Sequence, residues 1–171
     1  MRDLRLRSIA NFPLGTFETF ATALALTELN WRGRGALNEE LSRFQIVAYV
    51  PGERWVGTMT TVVSGGPPDY QPSAAPADAS ARTDLLDVWV DRTYRGRAGI
   101  ATRLLETVRN WTISVHRHDK LHVHVHVHEG NHRATRFFEK NGATRTGEYI
   151  NDPRSYWERH YELVLPAAAQ S

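Results

Sequence analysis

The segment Leu85–Trp111, LLDVWVDRTYRGRAGIATRLLETVRNW, carries the strongest structural signal in the chain. Its first part, Leu85–Val90, has the apolar and β-branched composition of a buried strand. After a loop with two arginines and two glycines, apolar residues recur at helical spacing from Ile100 to Trp111. Glycines let the backbone approach a ligand, and the first turn of a helix has unpaired N–H groups. The segment therefore predicts a strand, loop and helix that bind a phosphorylated ligand.

Length and composition restrict the class of protein. The chain has 171 residues, which is enough for one domain with a buried core, and its net charge of +2 does not suit a nucleic-acid-binding protein. No apolar run approaches the ~20 residues of a membrane span, and the N-terminus lacks the apolar core of a signal peptide. Without cysteine there can be no disulfide, thiolate metal site or cysteine nucleophile. We expect one cytoplasmic domain over residues 1–171 that binds neither nucleic acid nor membrane.

The hydrophobic patterns elsewhere predict an α+β domain with a mixed sheet of about seven strands and helices on both faces. Residues 64–84, rich in Pro, Ala, Gly and Ser, predict a flexible loop, and residues 166–171 a frayed tail. The two strands that flank the helix from Ile100 should be parallel. The predicted elements are an edge strand Arg2–Ile9, a turn Asn11–Gly15, a helix Thr16–Leu29 with Thr16 as N-cap, a break at Asn30–Gly35, a short helix Ala36–Arg43, a hairpin of Phe44–Val50 and Trp55–Val63, the strand Leu85–Val90, the helix Ile100–Ser114, the strand Leu121–His128, the helix Asn131–Asn141 ended by Gly142, and the strands Ala143–Tyr149 and Tyr156–Leu165.

The loop at residues 91–101 concentrates positive charge next to a helix start. Arg95 and Arg97 offer forked donors suited to phosphate oxygens, and the segment from Arg92 to Ala101 contains no acid. The glycines lack the spacing of the dinucleotide fingerprint, and the lysine of a P-loop is absent, so nucleotide hydrolysis is not predicted. The alternative to a phosphate site is an ordinary turn with solvated arginines.

Two motifs together resemble the GNAT family of N-acetyltransferases. The loop from Val90 to Ala101 resembles the family's pyrophosphate pattern, Arg/Gln-x-x-Gly-x-Gly/Ala after a strand that ends in Val. The segment Asn131–Ala143 resembles its second signature, Asn-x-x-Ala followed by an aromatic pair and a Gly-Phe, with Gly142-Ala143 at the last two positions. Ala98 is one residue more than the family usually has, so either Arg95 or Arg97 takes the first position. The resemblance covers about residues 1–165 in element order.

The resemblance implies an acyltransferase that moves an acetyl group from acetyl-CoA, as co-substrate, to a primary amine by direct attack, with no metal expected. It places the pyrophosphate on the N–H groups from Arg97 to Ala101 and the pantetheine arm beside Trp89–Val90 and Asn131. It also implies that two chains can pair through the late strands. The implied cofactor-binding residues are Trp89, Val90, Arg95, Arg97, Ala98, Gly99, Ile100, Ala101, Asn131 and Phe138.

One departure from the family's pattern keeps other functions open. Phe138 stands where a tyrosine often protonates the leaving thiolate, and phenylalanine has no proton to give. Tyr94, Tyr149, Tyr156 or water would have to replace it; otherwise the chain is an acyl-CoA-binding module with weak or no catalysis. The acceptor also stays open between an antibiotic, a polyamine, an amino acid and a protein or peptide terminus. The loop Trp31–Gly35 is either a solvated connector or a wall of the acceptor pocket.

The attacking amine must lose a proton, so a general base is expected. Asp84 and Asp87 in the strand before the loop are candidates, although the strand period points them to opposite faces. Histidines alternate with valines in LHVHVHVH, residues 121–128, and His126 and His128 lie nearest the end of the strand at which open sheets bind ligands. These four residues are the candidate bases.

The histidine face of this strand has three possible roles. It could be a half-solvated sheet face, a proton relay, or a zinc site built from neighbours ~7 Å apart and a ligand from elsewhere. The third role would make the chain a metal-binding protein. His122, His124, His126 and His128 form this face.

Overall fold

A computed structural model describes residues 1–13, 16, 18–35, 43–63, 83–96, 99–116 and 122–166 of the chain. The helices are α1 (Arg2–Asn11), α2 (Phe20–Ala25), α3 (Glu28–Gly35), α4 (Ile100–His116) and α5 (His132–Lys140), and a 3-10 turn spans Arg92–Tyr94. The strands are β1 (Arg43–Tyr49), β2 (Trp55–Val63), β3 (Thr83–Val90), β4 (His122–His128), β5 (Thr144–Asp152) and β6 (Ser155–Pro166).

The six strands form one mixed sheet in the order β1-β2-β3-β4-β6-β5. β3 and β4 are parallel and α4 connects them, as predicted, while every other neighbouring pair is antiparallel. The predicted fold class is therefore confirmed. The sheet has six strands in the described residues rather than about seven, because the first predicted strand is a helix.

The core lies against the valine face of β4. Val123, Val125 and Val127 are 0%, 3% and 5% exposed and belong to the same cluster as Leu105 of α4 and Phe138 of α5. The alternation in the sequence thus places the valines in the core and the histidines on the opposite side of the strand. A smaller cluster of Ile9, Ala23 and Trp31 joins α1, α2 and α3.

The prediction of an edge strand at Arg2–Ile9 was wrong, because this segment is helix α1. Its buried apolar residues are Leu4 and Ile9, and an ion pair of 2.9 Å between Asp3 and Arg7 spans one helical turn. Alternation over only a few residues does not separate a strand from a helix whose polar side chains reach across to the sheet.

The single helix predicted at Thr16–Leu29 was also wrong. Thr19, rather than Thr16, is the N-cap of the short helix α2 and forms a capping box with Thr22. The predicted break at Asn30–Gly35 lies within α3, where the Asn30 amide donates to Thr27 Oγ1 at 3.2 Å. Glycines inside this helix are tolerated at a cost of about 1 kcal/mol each.

Some predicted elements lie outside the described residues. Residues 14 and 15 of the predicted turn, residues 36–42 of the predicted short helix, residues 64–82 of the predicted loop, residue 121 of the predicted strand and residues 167–171 of the tail are not described, while Asn11 belongs to α1 and Arg43, Thr83 and Asp84 belong to strands. The other elements were predicted within a few residues of their ends. Within the described residues, no helix is both long and apolar enough to cross a membrane.

Candidate active site

A cleft opens where β3 and β4 diverge. Their register is limited to the pairs Thr83–Val123 and Asp84–His124, although both strands continue beyond these residues. The resulting space has a volume of about 1960 Å³. Ordinary ligand pockets measure roughly 300–1,000 Å³, so there is room for a long ligand and a second molecule.

A β-bulge distorts β3 beside this cleft. Thr58 faces Trp89 and Thr60 faces Leu86, so that two residues of β3, Asp87 and Val88, oppose only Met59. Asp87 has a φ of 52°, which is uncommon for a residue other than glycine. Bulges and strained residues of this kind concentrate at functional sites.

Ion pairs hold Asp87 against α1. Its carboxylate contacts the Arg5 guanidinium and lies 3.9 Å from Arg43, and Thr60 Oγ1 donates to it at 3.4 Å. Arg5 also pairs with Glu18 at 2.9 Å. Asp87 thus lines the cleft with its negative charge shared between two arginines.

The loop before α4 forms one end of the cleft. Arg95 folds back so that its Nε donates to the Val90 carbonyl at 2.8 Å, and its pKa is lowered by burial and by the neighbouring Arg133. Gly96 and Gly99 have φ values of 73° and 61°, a region that side chains rarely adopt. Arg95, Gly96 and Ala101 line the cleft, whereas Arg97 and Ala98 lie outside the described residues.

The α5 N-terminus and β3 supply further parts of this end. Asn131 caps α5 by accepting the Ala134 amide at 3.2 Å and also lines the cleft. Trp89 is 6% exposed, and its Nε1 has no hydrogen-bond partner within the described residues. A buried donor of this kind costs roughly 1–3 kcal/mol unless a ligand or water accepts from it. Phe138 is 1% exposed and gives the cleft an apolar wall.

The part of the cleft lining that β4 and β6 supply is polar. His126 faces Glu162 across the strands, and His128 faces His160. His124 Nδ1 lies 3.0 Å from Glu162 Oε1, while the His122 side chain lies outside what the structure describes. His128 Nδ1 accepts a hydrogen bond from the Gly130 amide at 3.0 Å. The His128 and His160 rings are packed edge to face, with their centroids 5.0 Å apart.

His160 is held by a carboxylate that an arginine fixes in place. His160 Nε2 lies 3.0 Å from Asp152 Oδ2, and both residues are buried. Arg154 donates to Asp152 with its Nη2 at 2.6 Å, its Nε at 2.9 Å and its amide at 2.8 Å. Hydrogen bonds from Arg154, and then from His160, hold the Asp152 pKa well below its usual range. Burial lowers the pKa of His160, and the Asp152 hydrogen bond opposes that shift.

The same three side chains, His128, Asp152 and His160, have ligand atoms within 4.8 Å of one another, a spacing that a metal ion could bridge. However, the Asp152 carboxylate already accepts four hydrogen bonds, three of them from Arg154. A divalent cation would have to replace some of these bonds beside a guanidinium. The positive charge of Arg154 would repel a divalent cation at this position, so the cluster favours hydrogen bonds and proton binding over a metal ion.

The cleft brings together three of the four predicted bases. Asp87, His126 and His128 line it, whereas Asp84 is 4% exposed in β3 and is not among the described residues of its lining. Of the predicted cofactor residues, Trp89, Val90, Arg95, Ala101, Asn131 and Phe138 line the cleft, while Gly99 and Ile100, at the start of α4, are not among the described lining residues.

Sequence reasoning missed Arg5, Glu18, Asp152 and His160. For Arg5 no signal was available, since its segment was predicted as an edge strand. His160 and Glu162 alternate with apolar residues in β6, as the histidines do in β4, and this pattern could have indicated a second polar face. From the segment Trp31–Gly35, Trp31 and Arg34 line the cleft from within α3.

Comparisons with solved structures identify the fold. A GNAT-family acetyltransferase structure from Desulfovibrio desulfuricans aligns with a TM-score of 0.62 at 15% identity, covering 98% of this chain and 92% of that one. An aminoglycoside 6'-N-acetyltransferase complexed with coenzyme A aligns with a TM-score of 0.61 at 12% identity, covering 99% and 92%. A chimera of spermidine N-acetyltransferase from Vibrio cholerae aligns with a TM-score of 0.56 at 15% identity, covering 96% and 92%.

The sequence itself identifies the family. No curated protein matches the chain by sequence. The family model described as Acetyltransferase (GNAT) family matches residues 7–143, which include β3, the loop before α4 and all of the second motif. With the divergent β3 and β4 and the cleft between them, this match shows that the chain belongs to the GNAT family of acetyltransferases.

Proposed function

We propose that this protein transfers an acetyl group from acetyl-CoA to a primary amine of a small molecule by direct attack. The observation that carries the proposal is the cleft, which is lined both by a cationic loop and by a buried polar face. Acetyl-CoA is anionic at its phosphates and reactive at its thioester, so these two linings suit the two parts of one long ligand.

The loop end of the cleft suits the phosphates of coenzyme A. Arg92, Arg95 and Arg133 line it, and the Arg95 pKa is lowered by burial and by Arg133, a repulsion that a bound anion would relieve. Trp89 Nε1, which has no hydrogen-bond partner within the described residues, and the side-chain amide NH₂ of Asn131 are donors for the polar groups of the pantetheine arm.

The polar end of the cleft suits an amine. Glu18, Asp87, Glu148 and Glu162 line the cleft and supply negative charge for a cationic acceptor, and His126 and His128 remain candidate proton-handling groups. Arg5 and Arg43 offset part of that charge at Asp87. Asp84 is a weaker candidate base, because it lies outside the described lining of the cleft.

Two of the similar structures support a small-molecule acceptor. One acts on an aminoglycoside and another on spermidine, both polyamines in the chemical sense. The identities of 12% and 15% show only a common fold, so the choice of substrate class needs a direct assay.

Titration calorimetry with acetyl-CoA, followed by thiol release against an amine panel, tests the proposal. The panel contains spermidine, an aminoglycoside, free amino acids and a short peptide with a free N-terminus. We expect acetyl-CoA to bind and at least one small amine to release thiol. Absence of binding at millimolar acetyl-CoA would contradict the proposal, and turnover of the peptide alone would replace the small molecule with a protein acceptor.

The alternative function is an acyl-CoA-binding module, which the buried Phe138 favours. This side chain is 1% exposed beside the cleft and cannot protonate a thiolate. Tight acetyl-CoA binding without thiol release from any amine in the panel would support the module and contradict the enzyme.

A further inference from the structure

Three arginines and two acids form a connected set of ion pairs in the lining of the cleft, which we call the arginine network. Arg5 pairs with Glu18 at 2.9 Å and also with Asp87. Arg34 pairs with Glu18 at 2.8 Å, and Arg43 lies 3.9 Å from Asp87. All five residues line the cleft. The network therefore joins α1, α3, β1 and β3 and carries a net positive charge.

The two carboxylates of the network are engaged by hydrogen bonds. Both oxygens of Glu18 accept from Arg34, at 2.8 Å and 3.1 Å, and Oε2 also accepts from Arg5 at 2.9 Å. Asp87 Oδ1 accepts from Arg5, and its Oδ2 accepts from Thr60 Oγ1 at 3.4 Å. Because the arginines offset the negative charge of both acids, these acids attract a cationic acceptor only weakly.

The guanidinium donors of the network, by contrast, are in excess. An arginine side chain has several donors and no acceptor. Arg5 engages all three of its guanidinium nitrogens, with the two acids and with Thr16 Oγ1. Arg34 binds an acid through Nη1 alone, and the shortest contact of Arg43 with an acid in the described residues is 3.9 Å, to Asp87. Arg34 and Arg43 thus offer donors and positive charge to an anion in the cleft.

A buried tryptophan beside the network supplies a further donor. Trp31 lines the cleft and is 8% exposed, and Arg34 Cζ lies 5.2 Å from the centroid of its ring. Its Nε1 has no hydrogen-bond partner in the part of the chain that the structure describes. A buried donor is destabilising unless a ligand or a water molecule accepts from it. Trp31 therefore indicates, independently of the arginines, that an acceptor oxygen binds next to Arg34.

The network lies next to the gap at which β3 and β4 diverge. Arg43 is on β1, but its guanidinium reaches across β2 to Asp87 of β3. The next strand is β4, and neighbouring strands are ~4.8 Å apart. Beyond β4, Glu162 of β6 lines the cleft, and its Oε1 lies 3.0 Å from His124 Nδ1. The cleft thus has excess positive charge on the β3 side of the gap and a carboxylate on the β6 side.

We propose that the amine acceptor carries a carboxylate, as an amino acid does, and that Arg43, Arg34 and Trp31 bind this carboxylate while the amine faces the gap between β3 and β4. The inference rests on the proposed acetyl transfer. In that step the amine nitrogen forms a bond to the thioester carbonyl carbon and the carbon–sulfur bond breaks. The nitrogen, protonated at the start, gives one proton to the solvent and one to the thiolate, and the carboxylate is unchanged. A polyamine would instead place a second cation beside Arg43, which repels it.

The first test compares each acid with its uncharged counterpart. Thiol release from acetyl-CoA is measured with the common L-amino acids, β-alanine and 4-aminobutyrate, each beside its carboxamide. We expect the fastest amine to be an acid, and the kcat/KM of its carboxamide to be about 10-fold lower or less, because a hydrogen bond to a charged group is lost. The longer acids show which spacing between amine and carboxylate fits best.

The second test uses variants of the network with the best acid and its carboxamide. We expect Arg43→Gln to raise the KM of the acid about 10–100-fold with kcat within about threefold, and to leave kcat/KM for the carboxamide within about threefold. Trp31→Phe keeps an aromatic ring and removes Nε1–H, so it should raise the KM of the acid about 2–10-fold. The matched control is Arg103→Gln, an exposed arginine of α4 outside the described lining, which should change neither.

Two measurements separate acceptor binding from other effects of Arg43→Gln. Urea unfolding should show that the variant is folded under the conditions of the assay. Calorimetry should show an acetyl-CoA affinity within about threefold of the wild type, since the proposal assigns Arg43 to the acceptor. A large loss of acetyl-CoA affinity would assign Arg43 to the phosphates and overturn the proposal.

The remaining outcomes distinguish this inference from the acetyl transfer on which it rests. Turnover of spermidine, an aminoglycoside or the carboxamides as fast as of the best acid would overturn the carboxylate site and leave the acetyl transfer standing. Equal losses with acid and carboxamide in Arg43→Gln would show that Arg43 does not contact the carboxylate. Absence of thiol release by the wild type with every amine would remove the acetyl transfer and this inference with it.

Discussion

The two ends of the cleft are built in different ways. The donor wall is built mostly from the end of β3, the loop and the start of α4, with the start of α5, whereas the acceptor wall is assembled from side chains of α1, β3, β4, β6 and the segment before α2. The donor wall comprises Trp89, Val90, Arg92, Arg95, Gly96, Ala101, Asn131 and Arg133, and the acceptor wall comprises Arg5, Glu18, Asp87, His126, His128, His160 and Glu162.

Charge is also organised differently on the two walls. On the donor wall three arginines lie together, and repulsion from Arg133 adds to the lowering of the Arg95 pKa. On the acceptor wall most charged groups have opposite partners, as in the pair of Arg5 with Glu18 at 2.9 Å. The donor wall is therefore prepared for an anion from outside, while the acceptor wall is largely satisfied by its own contacts.

Charge reversal at Arg95 should have the largest effect on the donor wall. Replacement of Arg95 by Glu exchanges attraction to the phosphates for repulsion, and we expect acetyl-CoA affinity to fall about 100-fold or more. A matched control is Arg136→Glu, an exposed arginine of α5 outside the described cleft lining, which should change affinity less than about threefold. Equal effects of the two variants in calorimetry would show that the loss reflects net charge rather than a phosphate site.

The contrast between the walls explains how much of the site could be predicted. The donor wall is mostly one contiguous segment, so the spacing of its glycines and arginines indicated its role. The acceptor wall joins residues far apart in sequence: Arg5 and Asp87 are separated by 82 positions. Such pairs depend on how α1 lies against the sheet, which local periodicity does not determine.

The fold was predictable for a related reason. Buried strands and the amphipathic helix α4 have strong periodic patterns, and the core of Val123, Leu105 and Phe138 follows from them. The error at Arg2–Ile9 arose because Arg5 and Arg7 of α1 reach across to Asp87 and Asp91 rather than into solvent, which weakens the helical pattern of polar and apolar residues.

Loss of Arg5 should break the acceptor wall while leaving the donor wall intact. Arg5→Ala leaves Asp87 and Glu18 without their shared cation. We expect it to lower the free energy of unfolding by about 2 kcal/mol, less than for a fully buried pair, because Arg5 and Asp87 are 19% and 23% exposed. Urea unfolding measures this change, and acetyl-CoA affinity should stay the same.

The control for Arg5→Ala is an ion pair in solvent. Arg32 and Glu28 lie 2.6 Å apart at 76% and 78% exposure, so Arg32→Ala should cost less than about 0.5 kcal/mol. A loss of acetyl-CoA affinity in Arg5→Ala as large as in Arg95→Glu would contradict the division of the cleft into two walls.

A pH dependence of stability should arise from Asp152, beside the acceptor wall. Since its pKa is depressed in the folded protein, this carboxylate stabilises the fold above its unfolded pKa of about 3.9 and ceases to do so as pH falls through the folded value. We expect Asp152→Asn to lower the free energy of unfolding by about 1.5 kcal/mol at pH 7 and by progressively less below pH ~4. A difference from wild type that is independent of pH in urea titrations would show that Asp152 acts by packing alone.

The smallest predicted effect separates two roles of Asn131 on the donor wall. Its Oδ1 caps α5 through the Ala134 amide, so Asn131→Ala should cost about 1 kcal/mol of stability, whereas Asn131→Asp keeps an acceptor and favours the helix N-terminus. Asparagine also has an amide NH₂ that aspartate lacks. If that group donates to the pantetheine arm, loss of one hydrogen bond of about 1 kcal/mol should weaken acetyl-CoA binding about fivefold in both variants.

Thr19→Ala removes the N-cap of α2, outside the described lining of the cleft, and should reduce stability without changing affinity. Full affinity in Asn131→Asp would reduce the role of Asn131 to holding the start of α5, and the donor wall would then depend on its backbone and its arginines.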